Sequence, residues 1–195
     1  SRWEKVLKRL VLLNKNYPME NPKCGNLEFM RDFEGDRKTE NKLYNTVRES
    51  LVDQGLVFFG GYASSLYGKY MPKKQRKHLD DSPDFDVLSM DPSTSAIILK
   101  ERLVDAGFKN IKINKKAGIG EIIAPHYEVV VGKDTVCFIY KPLACHSYNT
   151  LRVGRRIVKV ATIDTMLSFF LAFLYADRPY YDHHRILCMA QYLFA

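Results

Sequence analysis

Asp84 and Asp86 are separated by one residue, in the run Ser82-Pro83-Asp84-Phe85-Asp86-Val87-Leu88-Ser89. On an extended strand both side chains project from one face. Two carboxylates held that close repel one another unless a cation lies between them, and oxygen ligands suit Mg²⁺. Upstream, Gly60-Gly61 follows a short apolar run and precedes a helical pattern. A glycine turn there lets a phosphate approach backbone N–H groups at the positive end of the helix, and Ser64 and Ser65 could add hydroxyl donors. Together these parts suit phosphoryl or nucleotidyl transfer, in which two ions activate an attacking hydroxyl and neutralise the leaving pyrophosphate. A lone pair of acids is usually a loop or helix-start feature and a lone glycine pair usually a turn, so the joint pattern carries the argument.

The elements that must position these residues follow from periodicity. Leu56 to Phe59 predicts a strand, Ala63 to Tyr70 a helix, and Phe85 to Leu88 the strand bearing the acids. Trp3, Val6, Leu7, Leu10 and Leu13 predict an amphipathic opening helix, and Leu43, Val47 and Leu51 a second within 39–51. Ser93 to Ala106 reads as a helix capped by Asp91 or Ser93. Strand character returns at Asn110 to Asn114, Tyr127 to Val131 and Thr135 to Tyr140, with a tight hairpin at Gly132-Lys133-Asp134. From Thr162 onward the pattern is helical, broken at Pro179. The expectation is one α+β domain over 1–195, a small mixed sheet flanked by helices. It divides into a helical lead-in (1–55), a sheet core (56–142) and C-terminal helices (143–195).

The 195 residues, 46% of them hydrophobic and 27% charged, exclude disorder, collagen and a disulfide scaffold. Thirty Lys and Arg against 22 Asp and Glu give a net charge of +8, which suits a polyanionic partner. Cys24, Cys137, Cys145 and Cys188 have no CxxC spacing, so free thiols in a reducing compartment are expected. The most apolar stretch, Ile163 to Ala176, is interrupted by Asp164 and is too short to cross a bilayer.

At Gly60, Gly61, Ala63 and the run 82–89 the chain resembles the DNA polymerase β-like nucleotidyltransferase superfamily. More closely it resembles the poly(A) polymerase catalytic subunits of large DNA viruses, the poxvirus, asfarvirus and mimivirus relatives. RWEKVLKRLVLLNKNYP at the start and ATIDTMLSFFLAFLYADRPYYDHHRILCMAQYL near the end extend the resemblance over nearly the whole chain. It implies template-independent addition of AMP from ATP to RNA 3′ ends with Mg²⁺ or Mn²⁺. Asp84 and Asp86 would bind the ions, and Gly60 and Gly61, with Ser64 and Ser65, the triphosphate. Implied partners are RNA and ATP, with an upstream catalytic domain of the same chain and a homodimer left open. The implied location is the host cytoplasm, with packaging in the virion also open. RWEKVLKRL resembles the segment that follows a first nucleotidyltransferase domain in the longer viral enzymes, so a second, degenerate copy is expected here.

The chain departs from that family at the third carboxylate. The strand that should supply it, Val136-Cys137-Phe138-Ile139-Tyr140, holds no acid, and by analogy Phe138 stands in its place. Glu128 could substitute from the adjacent strand. Lys73, Lys74, Arg76 and Lys77 form the densest basic run and, with Arg155 and Arg156, are candidate RNA-binding residues, solvated loops being the competing explanation. Tyr148 could offer a base-stacking ring and Asn149 an amide, against a plain strand-end turn. Asp182, His183 and His184 read as helix-end residues. The alternative functions are an RNA-binding or dimerisation module that has lost the reaction, and a small-substrate nucleotidyltransferase.

Overall fold

The computed structural model describes residues 36–70, 85–176, 178–179 and 181–194, together with 4, 5, 8, 9, 12, 15 and 16. Those seven N-terminal residues are helical, and Glu4 and Lys8 pair at 2.8 Å one turn apart. The apolar positions of the expected opening helix, and Asp84, Lys73, Lys74, Arg76 and Lys77, lie outside the described residues.

Helix α1 (Arg37–Asp53) starts where Asp36 accepts the N–H groups of Lys38 and Thr39. It ends at Gly55, whose φ of +67° lets Leu56 N–H reach back to Leu51 O. Then come β1 (Val57–Phe59), α2 (Gly60–Tyr67), a 3₁₀ turn (Gly68–Tyr70) and β2 (Phe85–Leu88). Helix α3 (Pro92–Asp105) is capped by Asp91, with Pro at its first turn. Strands β3 (Ile111–Lys116), β4 (His126–Val131) and β5 (Asp134–Tyr140) follow, then β6 (Tyr148–Val153), β7 (Arg156–Ala161), α4 (Ile163–Ala176) and α5 (His183–Phe194).

The seven strands form one mixed sheet in the order β3-β4-β5-β2-β1-β7-β6. Only β1/β7 and β2/β5 pair in parallel. One face packs Phe58, Phe85 and Val87 against α1, α2 and α3, with Tyr44 and Tyr62 in ring contact. The other face packs Phe59 and Tyr140 against Phe169 and Phe173 of α4. The mixed α+β architecture is the one expected.

Three expectations are corrected. The segment 143–195 is not helical throughout, because β6 and β7 add a hairpin that widens the sheet beside β1. The glycine pair lies closer to the helix than expected: Gly60, with φ +69°, makes the bend at the head of α2, and Gly61 is already in its first turn. Of the cysteines, Cys137 and Cys145 form no disulfide, but the buried Cys188 is disulfide-bonded, since folding joins thiols whose sequence spacing shows nothing. No helix among the described residues is long and apolar enough to cross a membrane.

Candidate active site

Antiparallel pairing of β1 with β2 sets Phe59 opposite Asp86, so the residue after β1 meets the aspartate side chain. Gly60 has φ +69°, a conformation that L side chains rarely adopt. A Cβ built there would collide with Asp86 Oδ2 and lie 3.0 Å from its Cβ and Cγ. Glycine is therefore required twice, once by the backbone angle and once by the carboxylate against it. The first N–H groups of α2 have no intrahelical partners, and Phe59 at its N-cap gives no side-chain hydrogen bond. That end carries the partial positive charge of the helix beside Asp86.

The serines of α2 do not add to it. Ser64, 1% exposed, donates to Gly60 O at 2.9 Å, and Ser65 donates to Tyr62 O at 2.7 Å. Each hydroxyl proton is given to its own helix.

Register places Asp86, Phe138 and Glu128 in one row across β2, β5 and β4, all on one face of the sheet. With strands about 4.8 Å apart, the Glu128 Cα lies roughly 10 Å from that of Asp86, with the Phe138 ring between them. The Glu128 carboxylate is taken up by other partners. It accepts from Lys116 Nζ at 2.9 Å and Asn114 Nδ2 at 3.1 Å on one oxygen, and from Thr135 Oγ1 at 2.8 Å on the other. Burial pushes its pKa up, but these three donors together outweigh it and hold it below the usual range. Asp86 and Glu128 are not brought together.

Asp86 and Phe138 also border a narrow cleft of about 60 Å³, closed on its far side by Tyr181, Asp182 and Arg185 from the start of α5. Asp182 Oδ1 accepts Arg185 N–H at 3.0 Å, so it caps α5, a helix-end role as expected. Sequence reasoning did not foresee that this cap would share a cleft with Asp86. Among the described residues no group of three or more His, Cys, Asp or Glu is placed to hold a metal ion. The described acids do not fit a two-ion set.

The basic candidates that are described lie elsewhere. Arg155 sits in the two-residue β6–β7 turn after Gly154, whose φ is +59°. Arg156 opens β7, about 16 Å along that strand from Ala161 at its other end. Phe58 pairs with Val160, so it is the Ala161 end that is level with Gly60 and Asp86. Arg156 Nη1 bonds Asp53 Oδ1 at 2.9 Å, tying β7 to the end of α1. Asn149 donates its amide to Tyr67 Oη at 3.0 Å, while Tyr148 is exposed.

No family model matches the chain, and no curated protein matches it in sequence. Its fold is similar to that of the Megavirus polyadenylate synthase, with TM-score 0.60 and 17% identity over 99% of this chain. The chain spans 37% of the length of that protein. A second similar structure is ANT(2″)-Ia in complex with adenylyl-2″-tobramycin, with TM-score 0.43 and 13% identity, covering 79% of this chain and 87% of the other. At such identities the likeness to the polyadenylate synthase establishes the fold, a nucleotidyltransferase-like mixed sheet flanked by helices.

Proposed function

We propose that the chain is a nucleotidyltransferase-fold domain of a protein that adds AMP from ATP to RNA 3′ ends, and that this domain holds nucleotide or RNA without transferring AMP itself. The polyadenylate synthase likeness and the motifs at 60–63 and 82–89 support the parent activity. One observation carries the domain's own role: Phe138 fills the register position beside Asp86, and the nearest substitute, Glu128, is committed to Lys116. What remains is the start of α2, where the Gly60 and Gly61 amides offer N–H donors to a phosphate. Under this reading RNA and ATP are ligands of the parent, which has its catalytic domain upstream. Association as a homodimer, and residence in the host cytoplasm or virion, belong to the same proposal.

A second reading, that this domain is itself a transferase, is favoured by the retained fit of Gly60 against Asp86. It needs Asp84 and Asp86 to hold Mg²⁺ or Mn²⁺ and Glu128 to leave Lys116. Primer extension separates the two. The expected result is that the 195-residue chain does not lengthen an oligo(A) primer with ATP and either ion. Its RNA binding should survive Asp84→Ala with Asp86→Ala. Extension by the chain, abolished by that double change, would establish the second reading in place of the first.

A further inference from the structure

We infer that a second cleft, at the other end of the sheet from Asp86, binds a nucleobase joined to a phosphate, as a free nucleotide or as one residue of a single strand. This inference does not depend on the function proposed above. The cleft measures about 530 Å³, within the range of small-molecule sites, and shares no lining residue with the one at Asp86. It opens beyond the far end of β2, where Met90 lies about 13 Å along the chain from Asp86.

Three features of its lining give the ligand its chemistry. Tyr148, 45% exposed at the start of edge strand β6, presents a ring to the cleft. The Lys159 ammonium lies 5.4 Å from the centre of that ring and reaches over Gly55, where a Cβ would sit 3.4 Å from Nζ. No described carboxylate forms an ion pair with Lys159, so the ammonium is a cation awaiting an anion beside a face fit for stacking.

The third feature is a hydroxyl pair. Ser89 Oγ and Ser95 Oγ lie 2.8 Å apart, both 6% exposed, and Ser89 Oγ also accepts Asp91 N–H. Two hydroxyls carry two protons and the bond between them uses one, so the pair keeps one proton for an acceptor that the described residues do not supply. Leu56 and Ile98 give apolar wall. Asp91, whose carboxylate caps α3, adds a fixed negative charge that turns a phosphate away from itself and toward Lys159. An aromatic face, an uncompensated ammonium and a spare hydroxyl donor fit a base with its phosphate better than an apolar or cationic ligand.

The test is a site-resolved NMR titration of the ¹⁵N-labelled protein with AMP, adenosine and inorganic phosphate. AMP is expected to shift the amides of Gly55, Met90 and Tyr148 and to bind more tightly than adenosine or phosphate alone. Tyr148→Ala should weaken AMP at least about tenfold while Tyr148→Phe, which keeps the ring, binds as the native protein does. Lys159→Ala should erase the preference of AMP over adenosine. A twelve-residue oligo(A) that displaces AMP identifies the strand as the source, and one that does not identifies the free nucleotide. The inference is overturned if Tyr148→Ala binds AMP undiminished, or if the shifts fall only on Gly60 to Ala63. The latter outcome would leave the proposed function standing, whereas failure of that function in primer extension would leave this cleft untouched.

Discussion

Replacing Gly60 by Ala tests the geometry on which the site rests. Two costs add. Alanine at φ +69° gives up about 1–2 kcal/mol to left-handed strain. A methyl group driven into the Asp86 carboxylate, in a buried setting, costs about 1–3 kcal/mol of overpacking. The expected loss is about 2–5 kcal/mol, and its central value of about 3.5 kcal/mol lowers Tm by roughly 7–14 °C in a chain of this length. Gly132→Ala supplies the control. Its φ is +65° but a Cβ there meets nothing within 4 Å, so only the first cost applies. Urea unfolding with an unchanged m-value measures both. In an Asp86→Ala background Gly60→Ala should lose most of its excess over Gly132→Ala, because the carboxylate it strikes is gone. Equal losses at positions 60 and 132, or no coupling between 60 and 86, would refute the placement of the glycine against the acid.

Phe138→Asp puts a second carboxylate one strand from Asp86; it should cost about 3–5 kcal/mol of stability from the lost ring and make Tm rise with added Mn²⁺, which the native protein's should not. A variant whose Tm ignores Mn²⁺ would show that Phe138 is not what separates this cleft from an ion site. Burial holds the His126 imidazole below its ordinary pKa, with Lys116 and Arg178 pushing the same way and Glu128 and the Ala124 carbonyl opposing. The unfolded chain therefore takes up that proton first, so stability should be full above about pH 6.5 and fall as pH drops toward the lower folded value. His126→Phe, which keeps a ring on Tyr140, should flatten that fall in urea unfolding followed from neutral to mildly acidic pH; an unaltered slope would count against it. Reversing the charges of Lys73, Lys74, Arg76 and Lys77 should make RNA binding less salt-dependent, by about 0.7 in log–log slope for each phosphate these residues no longer neutralise. An unchanged slope would remove those four residues from the interface.

The parts of the fold announced by local chemistry are legible in the sequence. Asp36 and Asp91 cap α1 and α3, Gly55 and Gly107 end them with positive φ, and Gly132 turns β4 into β5, each through interactions within a few residues. The β6–β7 hairpin is not legible, because its strands are half exposed and carry Arg152, Arg156 and Lys159 where a core strand would show apolar residues. Its signal is Gly154 between two short runs, which the arginines mask. The start of α2 escapes the sequence for another reason. Helix propensity argues against two leading glycines, and only the Asp86 side chain, brought in by β2, requires one at 60. At the site, one side chain each from β2, β5 and β4 makes the row 86, 138 and 128. Analogy points to Phe138, but that Lys116 of β3 would claim Glu128 depends on a register no local pattern carries.

Charge and volume differ between the two ends of the central strands. Phe138 does more than vacate an acid's place, since it packs with His126 and Tyr140 in a ring cluster that continues through Phe169, Phe173 and Tyr181 over the cleft beside Asp86. The cluster leaves about 60 Å³ there, far below the several hundred cubic ångströms that a nucleotide-sized ligand fills. An aspartate at 138 would be desolvated among rings, and opening the cleft for a triphosphate would mean parting α4 and α5 from the sheet. At the other end of β1 and β2, about 530 Å³ lies beside an exposed tyrosine and an ammonium without a carboxylate partner among the described residues. The aspartate cleft is thus narrowed by its own core, while the larger volume and the Lys159 ammonium lie at the opposite end of the same strands, so the two proposed ligand positions, the Gly60 and Gly61 amides and the far cleft, are set apart by the length of β2.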